Sequence, residues 1–496
     1  MNKTRNIYDE VPYISQTVPD TAPDHLSLCS VWHGGPRPPA TGFRALEIGC
    51  SNGANLLPLA YYHPESTFVG IDASTVLIEA AGRGAEAIEL SNISFELMDI
   101  ADLDSVASEP FDYIIAHGVY SWVNDRLREA LLAYVGRGLS PNGIAYISYN
   151  AQPGWTFRGL VRDVLRRHPS VSAAAPSDQA MCAKAVAGRL LTDLPSGDHP
   201  YLSLLEHELT RVTEEAQYYV QHEYLSEDNG GFWLGDVVRR AATHGLTYVT
   251  DAQFCRPEGQ ASPELIDAIA ERSLSGVARE ETIDLLCHRQ FRESIFARSE
   301  TATTAVDHRM LIDELYAATH FTFPADAVVL DGGVRQVMVG MRGVEVVLDV
   351  SVTKAAVVLL STIWPRGMTV SELLAQVRHL LSENGLTIPE NAAEILKIEL
   401  IDLFEAGQVQ LRQNEPLGYL YEVPTADSVT LTSLAAYEAS VRTMLTGPHH
   451  QSLTFEPHVF QKIGKLDGAS PLADLFPDDV AAAYVLETLV KWGLVL

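Results

Sequence analysis

Residues 43 to 60 read FRALEIGCSNGANLLPLA, and their pattern gives the first indication of the fold. The apolar run at 43–48 predicts a buried strand, the small residues at 49–53 predict a turn, and residues from Asn55 onward predict a helix. Glycines in such a turn let the backbone approach a ligand closely, and the helix beyond it begins with unpaired N–H groups. Phosphate and dinucleotide sites share this geometry, so the turn alone does not identify a ligand.

Three further apolar runs predict the strands that follow the turn: TFVGIDAS at 67–74, ISFELMDIADL at 93–103 and FDYIIAHGVYSWV at 111–123. Asp72 ends the first of these strands, where its carboxylate can accept hydrogen bonds from both hydroxyls of a ribose. Asp99 ends the second. Strands that alternate with helices at this spacing predict an α/β fold with a doubly wound parallel sheet, whose ligand lies across the carboxyl ends of the strands.

The glycine spacing in the turn separates two classes of nucleotide site. Gly49 and Gly53 form the pattern G-x-x-x-G, whereas a turn that binds a pyrophosphate carries G-x-G-x-x-G. A nicotinamide-dependent dehydrogenase is therefore disfavoured. The turn also follows an acid, Glu47, which could meet an ammonium group of the ligand.

Residues 47–53, EIGCSNG, resemble the first motif of the class I S-adenosylmethionine-dependent methyltransferases, with Ser51 where many members carry a glycine. Ser51 is small enough to keep the turn open. The resemblance implies a Rossmann-like methyltransferase sheet with S-adenosyl-L-methionine as cofactor, Asp72 as the ribose-binding acid and Asp99 as the acid that contacts adenine. The cofactor-binding residues that it implies are Glu47, Gly49, Ser51, Gly53, Asn55, Asp72, Asp99, Ile100 and His117.

Other phrases resemble one bacterial subgroup of these enzymes, which carries a methyltransferase regulatory domain and includes lysine methyltransferases that modify outer-membrane proteins. These phrases are YDEVPY at 8–13, AHGVYSWV at 116–123, SYN at 148–150, PGW at 153–155, QYYVQHEYL at 217–225 and FWLGDVVRRAATHGLTYVTDA at 232–252. The resemblance implies that the methyl acceptor is a lysine side chain of a protein. Methyl transfer from a sulfonium needs no metal, and alignment of the reacting atoms can supply most of the catalysis.

The acceptor is expected above the carboxyl ends of the fourth and fifth strands. A lysine must lose a proton before it attacks, so we expect a tyrosine or a histidine there to receive or orient that proton. The catalytic candidates are Tyr120, His117 and Tyr149. Aromatic rings can also hold an ammonium group, and the substrate-binding candidates are Trp122, Asn150 and Trp155. For Trp122 and Trp155, packing in the core is an equally good interpretation.

Three domains are predicted, and the first two contain the motifs described above. Residues 1–215 are assigned to the S-adenosylmethionine-binding methyltransferase domain, which is mostly helical after residue 156. Residues 216–308 are assigned to a mostly helical regulatory-like region. Within that region, an amphipathic helix and a strand at 232–252 could complete the catalytic sheet, and residues 264–298 are predicted to be helical.

The third predicted domain, residues 309–496, is winged-helix-like. Short β-rich runs precede a helix–turn–helix pattern at 354–381, whose second helix is predicted to be capped near Thr369, and a similar pattern returns at 470–492. Recognition helices in DNA-binding proteins are basic, whereas this region is rich in acids. We therefore expect it to contact protein or to form a homodimer. The acids are Glu372, Glu383, Glu390, Glu394 and Glu399.

The charge balance bears on the class of partner. The 496-residue chain carries 35 basic and 64 acidic residues, for a net charge of −29. Nucleic-acid binding draws much of its affinity from neutralised phosphates, so a nucleic-acid partner is disfavoured. The charge is compatible with a cationic substrate such as a lysine, although solubility alone is the favoured explanation.

Metal, disulfide and membrane classes are also disfavoured. The five cysteines are scattered without a C-x-x-C pair, which argues against a disulfide framework and a zinc site. His222 and Glu223 are half of a metal motif without a second histidine at helical spacing, so we favour a structural pair and expect no metal. No apolar run approaches the roughly 20 residues of a membrane span. The first residues lack the apolar core of a secretory signal, and we expect a cytoplasmic location.

Three functions fit these motifs. The leading interpretation is an S-adenosylmethionine-dependent methyltransferase that N-methylates lysine side chains of protein by direct displacement. A small-molecule N- or O-methyltransferase fits the same motifs, because the acceptor is selected by helices that the sequence does not decode. A catalytically silent scaffold that binds the cofactor is the third interpretation.

Overall fold

The computed structural model describes residues 15–105, 109–195, 197, 199–253, 276–301, 304–323, 328–414 and 428–496. The phrase YDEVPY at 8–13 lies outside these residues. So does the first part of the segment 264–298 that was predicted to be helical.

The methyltransferase-like unit is built on a seven-stranded mixed sheet with the strand order β3-β2-β1-β4-β5-β7-β6. The first five strands run parallel, and β7 is antiparallel to both of its neighbours. This confirms the doubly wound α/β prediction and places the reversal of strand order between β1 and β4, where ligands bind in such sheets. The strands are β1 Arg44–Ile48, β2 Thr67–Asp72, β3 Ile93–Leu97, β4 Phe111–Ala116, β5 Leu139–Asn150, β6 Leu246–Asp251 and β7 Phe291–Arg298.

Helices cover both faces of this sheet. They are α1 Pro23–Trp32, α2 Leu56–Tyr62, α3 Thr75–Ala87, α4 Asp125–Gly138, α5 Thr156–Arg167, α6 Pro169–Ser172, α7 Pro176–Thr192, α8 Pro200–Glu214, α9 Gln217–Val220, α10 Leu234–Thr243 and α11 Gly276–Leu286. The core on one face includes side chains of α1 and α2, and the core on the other includes side chains of α4 and α10. The run from α5 to α9 confirms the helical prediction for residues 156–215.

The region assigned to regulation completes the sheet. Its strands β6 and β7 extend the sheet beyond β5, with β7 paired to β5 from Ile144 to Asn150. The prediction of helix for residues 264–298 was wrong at its end, because residues 291–298 form β7. Two charged residues, Arg292 and Glu293, interrupt the apolar pattern expected of a strand covered on both faces. Both are buried with hydrogen-bonding partners, and this pairing is not visible in the sequence.

The rest of the chain forms two lobes with separate hydrophobic cores. We call residues 308–412 the middle lobe and residues 428–496 the C-terminal lobe. The middle lobe contains α12 His308–Leu311, β8 Tyr316–Ala318, β9 Gln336–Val339, β10 Glu345–Leu348, α13 Ser351–Ile363, β11 Met368–Thr369, α14 Val370–Glu383, α15 Ala392–Glu405 and β12 Gln410–Arg412. The C-terminal lobe contains β13 Ser428–Thr430, α16 Ser433–Val441, β14 Met444–Thr446, β15 Ser452–Thr454, α17 Pro457–Ile463, β16 Asp467–Pro471, α18 Leu472–Leu475 and α19 Asp479–Lys491.

The predicted helix start near Thr369 is confirmed. The Thr369 hydroxyl accepts from the Glu372 N–H, and the Glu372 carboxylate accepts from the Thr369 N–H, which is a capping box. The winged-helix assignment, the domain boundaries and the homodimer stay predictions. In the described part of the chain, no helix is both long enough and apolar enough to span a bilayer.

Candidate active site

The turn between β1 and α2 has the tight backbone that its composition predicted. Gly49, Ser51 and Gly53 all have positive φ, at 79°, 52° and 75°. The amides of Gly49 and Cys50 donate to the Ile71 carbonyl at 2.8 and 3.0 Å, which ties the turn to the end of β2. A Cβ added at Gly49 would lie 2.6 Å from Cγ2 of Val119, so glycine is required by both conformation and space.

Asp72 braces this turn from the end of β2. One carboxylate oxygen accepts from the Ser51 amide at 3.0 Å, and the other accepts from the Ser74 amide at 2.9 Å. A carboxylate has about four acceptor positions, so capacity remains for hydroxyls of a ligand. The arrangement fits the predicted ribose-binding role.

Glu47 and Ser51 supply two buried polar atoms that need a partner. The Glu47 Oε1 atom accepts from Nδ2 of Asn55 at 3.0 Å, whereas Oε2 of Glu47 and Oγ of Ser51 are buried without a hydrogen bond among the described residues. Burial raises the pKa of Glu47 to about 8. A ligand that brings an ammonium group would satisfy Oε2 and stabilise the charged carboxylate, so these residues fit S-adenosylmethionine.

Proton release should accompany cofactor binding for this reason. Glu47 is mostly protonated at pH 7 when its pKa is about 8, and an adjacent ammonium group lowers that pKa. We expect calorimetry in buffers of different ionisation enthalpy to detect release of about one proton per S-adenosylmethionine at pH 7, falling to zero well above pH 8. The Glu47→Gln variant should release none. Equal release by this variant and the wild type would contradict the assignment.

Asp99 and Ile100 lie at the same edge of the sheet. β3 ends at Leu97, two residues before Asp99, and the Met98 amide donates to the Asp72 carbonyl at 2.9 Å. Asp99 is exposed and accepts from the Ala101 amide at 2.8 Å, while Ile100 is half-buried at the start of a short 3₁₀ helix. The cofactor-binding candidates are therefore brought together around the ends of β1, β2 and β3, and their roles stay predictions.

His117 directly follows β4, beside the turn. The hydroxyl of Tyr146 donates to Oε1 of Glu293 at 2.6 Å and lies 2.9 Å from Nδ1 of His117. Oγ of Ser148 is also 3.4 Å from Nδ1. Burial lowers the pKa of His117 to about 4, so its imidazole is neutral at neutral pH. Burial, with a contribution from the charge of Asp20, raises the pKa of Glu293 to about 7.

The two tyrosine candidates lie in the core. Tyr120 begins a 3₁₀ helix and is fully buried, with its ring 5.1 Å from the ring of Phe232 and 5.8 Å from that of Tyr149. The hydroxyl of Tyr149 lies 3.0 Å from Oγ of Ser294. Burial raises the pKa of both tyrosines. These contacts favour packing roles, and a catalytic role stays a prediction.

The substrate-binding candidates Asn150 and Trp155 contact the region assigned to regulation. Nδ2 of Asn150 donates to Oδ1 of Asn229 at 2.9 Å, and Nε1 of Trp155 donates to Oε1 of Glu223 at 3.1 Å. Trp155 is buried, which supports its packing interpretation, and Trp122 is half-buried. Their substrate-binding roles stay predictions.

Glu223 and His222 belong to a buried π-helical turn, Gln221–Leu225. Glu223 pairs with Arg158 at 3.4 Å as well as with Trp155. Among the described residues, no group of three His, Cys, Asp or Glu side chains could hold a metal ion.

The sequence did not identify the residues that are linked to His117 by successive hydrogen bonds. Tyr146 lies inside β5, Glu293 lies on β7, and Gln253, which donates to Oε2 of Glu293, follows β6. They come from three separate stretches that meet only when β7 pairs with β5. An aromatic hydroxyl within an apolar strand is a weak signal, and no motif marks the other two residues.

Two family models match the chain in succession. The first, described as a methyltransferase domain, matches residues 40–217. The second, described as a predicted methyltransferase regulatory domain, matches residues 216–298. The second match begins in the helices after β5 and covers the strands β6 and β7 that complete the sheet.

Two proteins of Rickettsia prowazekii are relatives in sequence. Uncharacterized protein RP789 is 33% identical over 297 residues, which are 60% of this chain and 53% of that protein. This chain therefore spans about half the length of RP789. Uncharacterized protein RP028 is 35% identical over 242 residues, which are 49% of this chain and 96% of that protein. Trans-aconitate 2-methyltransferase of Deinococcus radiodurans is 31% identical over 108 residues, covering 22% of this chain and 38% of that enzyme.

A solved structure has a similar fold. PKMT2 of Rickettsia typhi, in complex with AdoHcy, superposes with a TM-score of 0.82 at 20% identity, covering 98% of this chain and 100% of PKMT2. This likeness confirms a Rossmann-like methyltransferase fold followed by further lobes. The two family matches and the relative RP028 lead to one conclusion. The chain belongs to the methyltransferases that carry a methyltransferase regulatory domain, and S-adenosylmethionine is the cofactor that its methyltransferase domain implies.

Proposed function

We propose that this protein transfers the methyl group of S-adenosylmethionine to a lysine side chain of a protein. The observation that carries the proposal is a neutral histidine, His117, at the carboxyl end of β4 beside the cofactor turn. The resemblance to bacterial lysine methyltransferases and the fold shared with PKMT2 support a protein acceptor.

The bound cofactor supplies an electrophilic methyl group, so the chain must present a neutral amine in line with it. His117 is suited to orient such an amine. Because the Tyr146 hydroxyl donates its hydrogen to Glu293, it must accept from His117, which assigns the hydrogen of the imidazole to Nδ1. The lone pair on Nε2 is then the one that can accept an N–H of the acceptor.

The pKa of His117 decides between orientation and proton uptake. An imidazole with a pKa of about 4 is too weak a base to remove the proton of a lysine ammonium, whose ordinary pKa is about 10.4. We therefore assign to His117 the orientation of an amine that has already lost its proton. Tyr146 and Glu293 fix the imidazole in one tautomer, which is the usual task of groups behind such a histidine.

The charge of the chain favours a cationic acceptor over an anionic one. A net charge of −29 attracts lysine-rich segments and repels a tricarboxylate. The trans-aconitate methyltransferase relative matches only 22% of this chain, so it supports methyl transfer and says nothing of the other lobes. A small-molecule acceptor and a silent cofactor-binding scaffold are the alternatives that an experiment must separate.

The experiment is transfer of labelled methyl from S-adenosylmethionine into a host extract that is then separated into protein and small-molecule fractions. Base-stable label in protein, recovered as methylated lysine after hydrolysis and absent with an Asp72→Ala control, is the expected result. Label confined to small molecules would replace the proposal with metabolite methylation. Cofactor binding without any transfer would favour the silent scaffold.

Replacing His117 tests the orienting role. His117→Phe keeps a ring but removes the acceptor atom, and we expect turnover to fall by about 10- to 100-fold, within the range of a lost positioning contact. The KM for S-adenosylmethionine separates this role from the cofactor contact that the family resemblance implies for His117. It should change by less than about threefold, because the proposed contact is to the acceptor. The His117→Gln variant retains an acceptor and should recover part of the activity. Wild-type turnover in His117→Phe would refute the role.

A further inference from the structure

The C-terminal lobe contacts both ends of helix α2, and the end formed by Ala54 and Asn55 lies next to the cofactor turn. The Arg442 guanidinium donates to the Ala54 carbonyl at 3.1 Å, and the Tyr62 hydroxyl donates to the Thr446 carbonyl at 3.0 Å. Nε2 of His450 lies 2.7 Å from Oδ1 of Asn55. A lobe that follows the catalytic sheet by more than 100 residues in the chain therefore touches two consecutive residues at the end of the cofactor turn.

His450 is held in place by its own lobe. It lies in the connection between β14 and β15 with a φ of 58°, and its amide donates to the Gly447 carbonyl at 2.9 Å. Glu438, which is fully buried, accepts from the amide and the hydroxyl of Thr446, each at 2.7 Å, and from Arg442 at 2.9 Å. This network fixes the hairpin that presents His450 to Asn55.

The other hydrogen bonds of Asn55 show which group donates in its contact with His450. Nδ2 of Asn55 donates to Oε1 of Glu47 and to Oγ1 of Thr21, both at 3.0 Å, and Oδ1 accepts from the Val18 amide at 2.9 Å. Oδ1 of Asn55 must then accept from Nε2 of His450. The hydrogen of the His450 imidazole is therefore on Nε2. The chain of hydrogen bonds runs from His450 through Asn55 to the carboxylate of Glu47.

This series of hydrogen bonds ends at Glu47, which carries a buried oxygen without a hydrogen bond among the described residues. Glu47 is 4% exposed, and its Oε2 has no hydrogen bond among the described residues. Because Asn55 holds Oε1, the orientation of the Asn55 amide determines where Oε2 points. A shift of about 1 Å in a group that aligns a ligand is costly, so residues that hold such groups matter beyond their own contacts.

We propose that His450 is a positioning residue for the cofactor: through Asn55 it orients Glu47, so that the C-terminal lobe completes the cofactor site. The inference rests on the use of S-adenosylmethionine but on no particular acceptor. It gives the C-terminal lobe a task at the cofactor site, in addition to its packing on α2 and α3, where Tyr437 and Leu434 contact Leu57 and Ala85.

The test is calorimetric binding of S-adenosylhomocysteine to the full-length protein, which needs no methyl acceptor. His450→Leu should weaken binding by about tenfold, the equivalent of one net hydrogen bond, while His450→Gln, which keeps a donor, should stay within about threefold of wild type. Tyr62→Phe removes a contact between the lobe and α2 without touching Asn55, and it should bind as wild type does. If His450→Leu does not fold, His450→Asn, whose amide is too short to reach Asn55, replaces it.

A double-mutant cycle separates positioning from packing. If His450 acts through Glu47, the variant that combines His450→Leu with Glu47→Gln should bind no more weakly than Glu47→Gln alone. Additive losses would overturn the proposal, as would wild-type affinity of His450→Leu or equal losses in the Leu and Gln variants. A failure to methylate protein would refute the proposed acceptor and leave these binding results unaffected.

Discussion

Asp72→Ala is expected to weaken binding of S-adenosylhomocysteine by about 100-fold or more. The carboxylate accepts backbone hydrogen bonds from Ser51 and Ser74 and is assigned to the ribose hydroxyls. Hydrogen bonds to a charged group contribute roughly 1.5–3 kcal/mol each, so loss of two ribose contacts alone corresponds to about 3–6 kcal/mol. Release of the Ser51 amide would further loosen the turn. Calorimetry with the purified protein measures the change.

Asp112→Ala is the matched control for that loss. Asp112 also braces backbone at a strand, since its carboxylate accepts from the Arg44 amide at 3.0 Å and from the Ser140 hydroxyl at 2.7 Å. It lies near the amino end of β4, beside the first residue of β1 and away from the cofactor turn. We expect it to lower thermal stability and to leave affinity for S-adenosylhomocysteine unchanged. Equal affinity loss in both variants would mean that general destabilisation explains the effect of Asp72→Ala.

Local sequence was sufficient to predict the turn and the strand ends at which the cofactor is expected to bind. Gly49, Gly53 and Asp72 work through backbone conformation and strand ends, and both properties follow from residues that are near in sequence. The parallel sheet then brings the ends of adjacent strands together without further information. The order of β1, β2 and β4 in the sheet agrees with that reasoning.

Long-range pairing was not predictable from one sequence. His117 and Glu293 meet through Tyr146 because β7 pairs with β5, and His450 meets Asn55 across 395 positions. The tyrosine candidates show a different difficulty. Tyr120 lies after β4 as the sequence predicts, but one sequence does not show that a 3₁₀ helix packs its ring against Phe232.

Arg292→Met is expected to destabilise the sheet by about 3–5 kcal/mol, the usual cost of breaking a buried ion pair. Arg292 is 1% exposed, and its guanidinium contacts both carboxylate oxygens of Asp284 at 2.8 Å and also pairs with Asp251. Methionine fills much of the same volume but leaves Asp284 buried without its principal partner. Hydrogen exchange of the amides in β5 and β7 is the suitable measurement, because it reports opening of the sheet separately from unfolding of the other lobes.

Arg298→Met, on the same strand, is the control. Arg298 pairs with the exposed Glu300 at 3.4 Å and donates to the Leu139 carbonyl at 3.3 Å. A surface pair contributes about 0–1 kcal/mol and a net hydrogen bond about 0.5–1.5 kcal/mol, so exchange rates should change much less than in Arg292→Met. The comparison also tests what the regulatory region does for the fold. If Arg292→Met accelerates exchange in β5 as strongly as in β7, the strands β6 and β7 are a cooperative part of the catalytic sheet. If the effect is confined to β7, the region opens independently of the sheet that binds the cofactor.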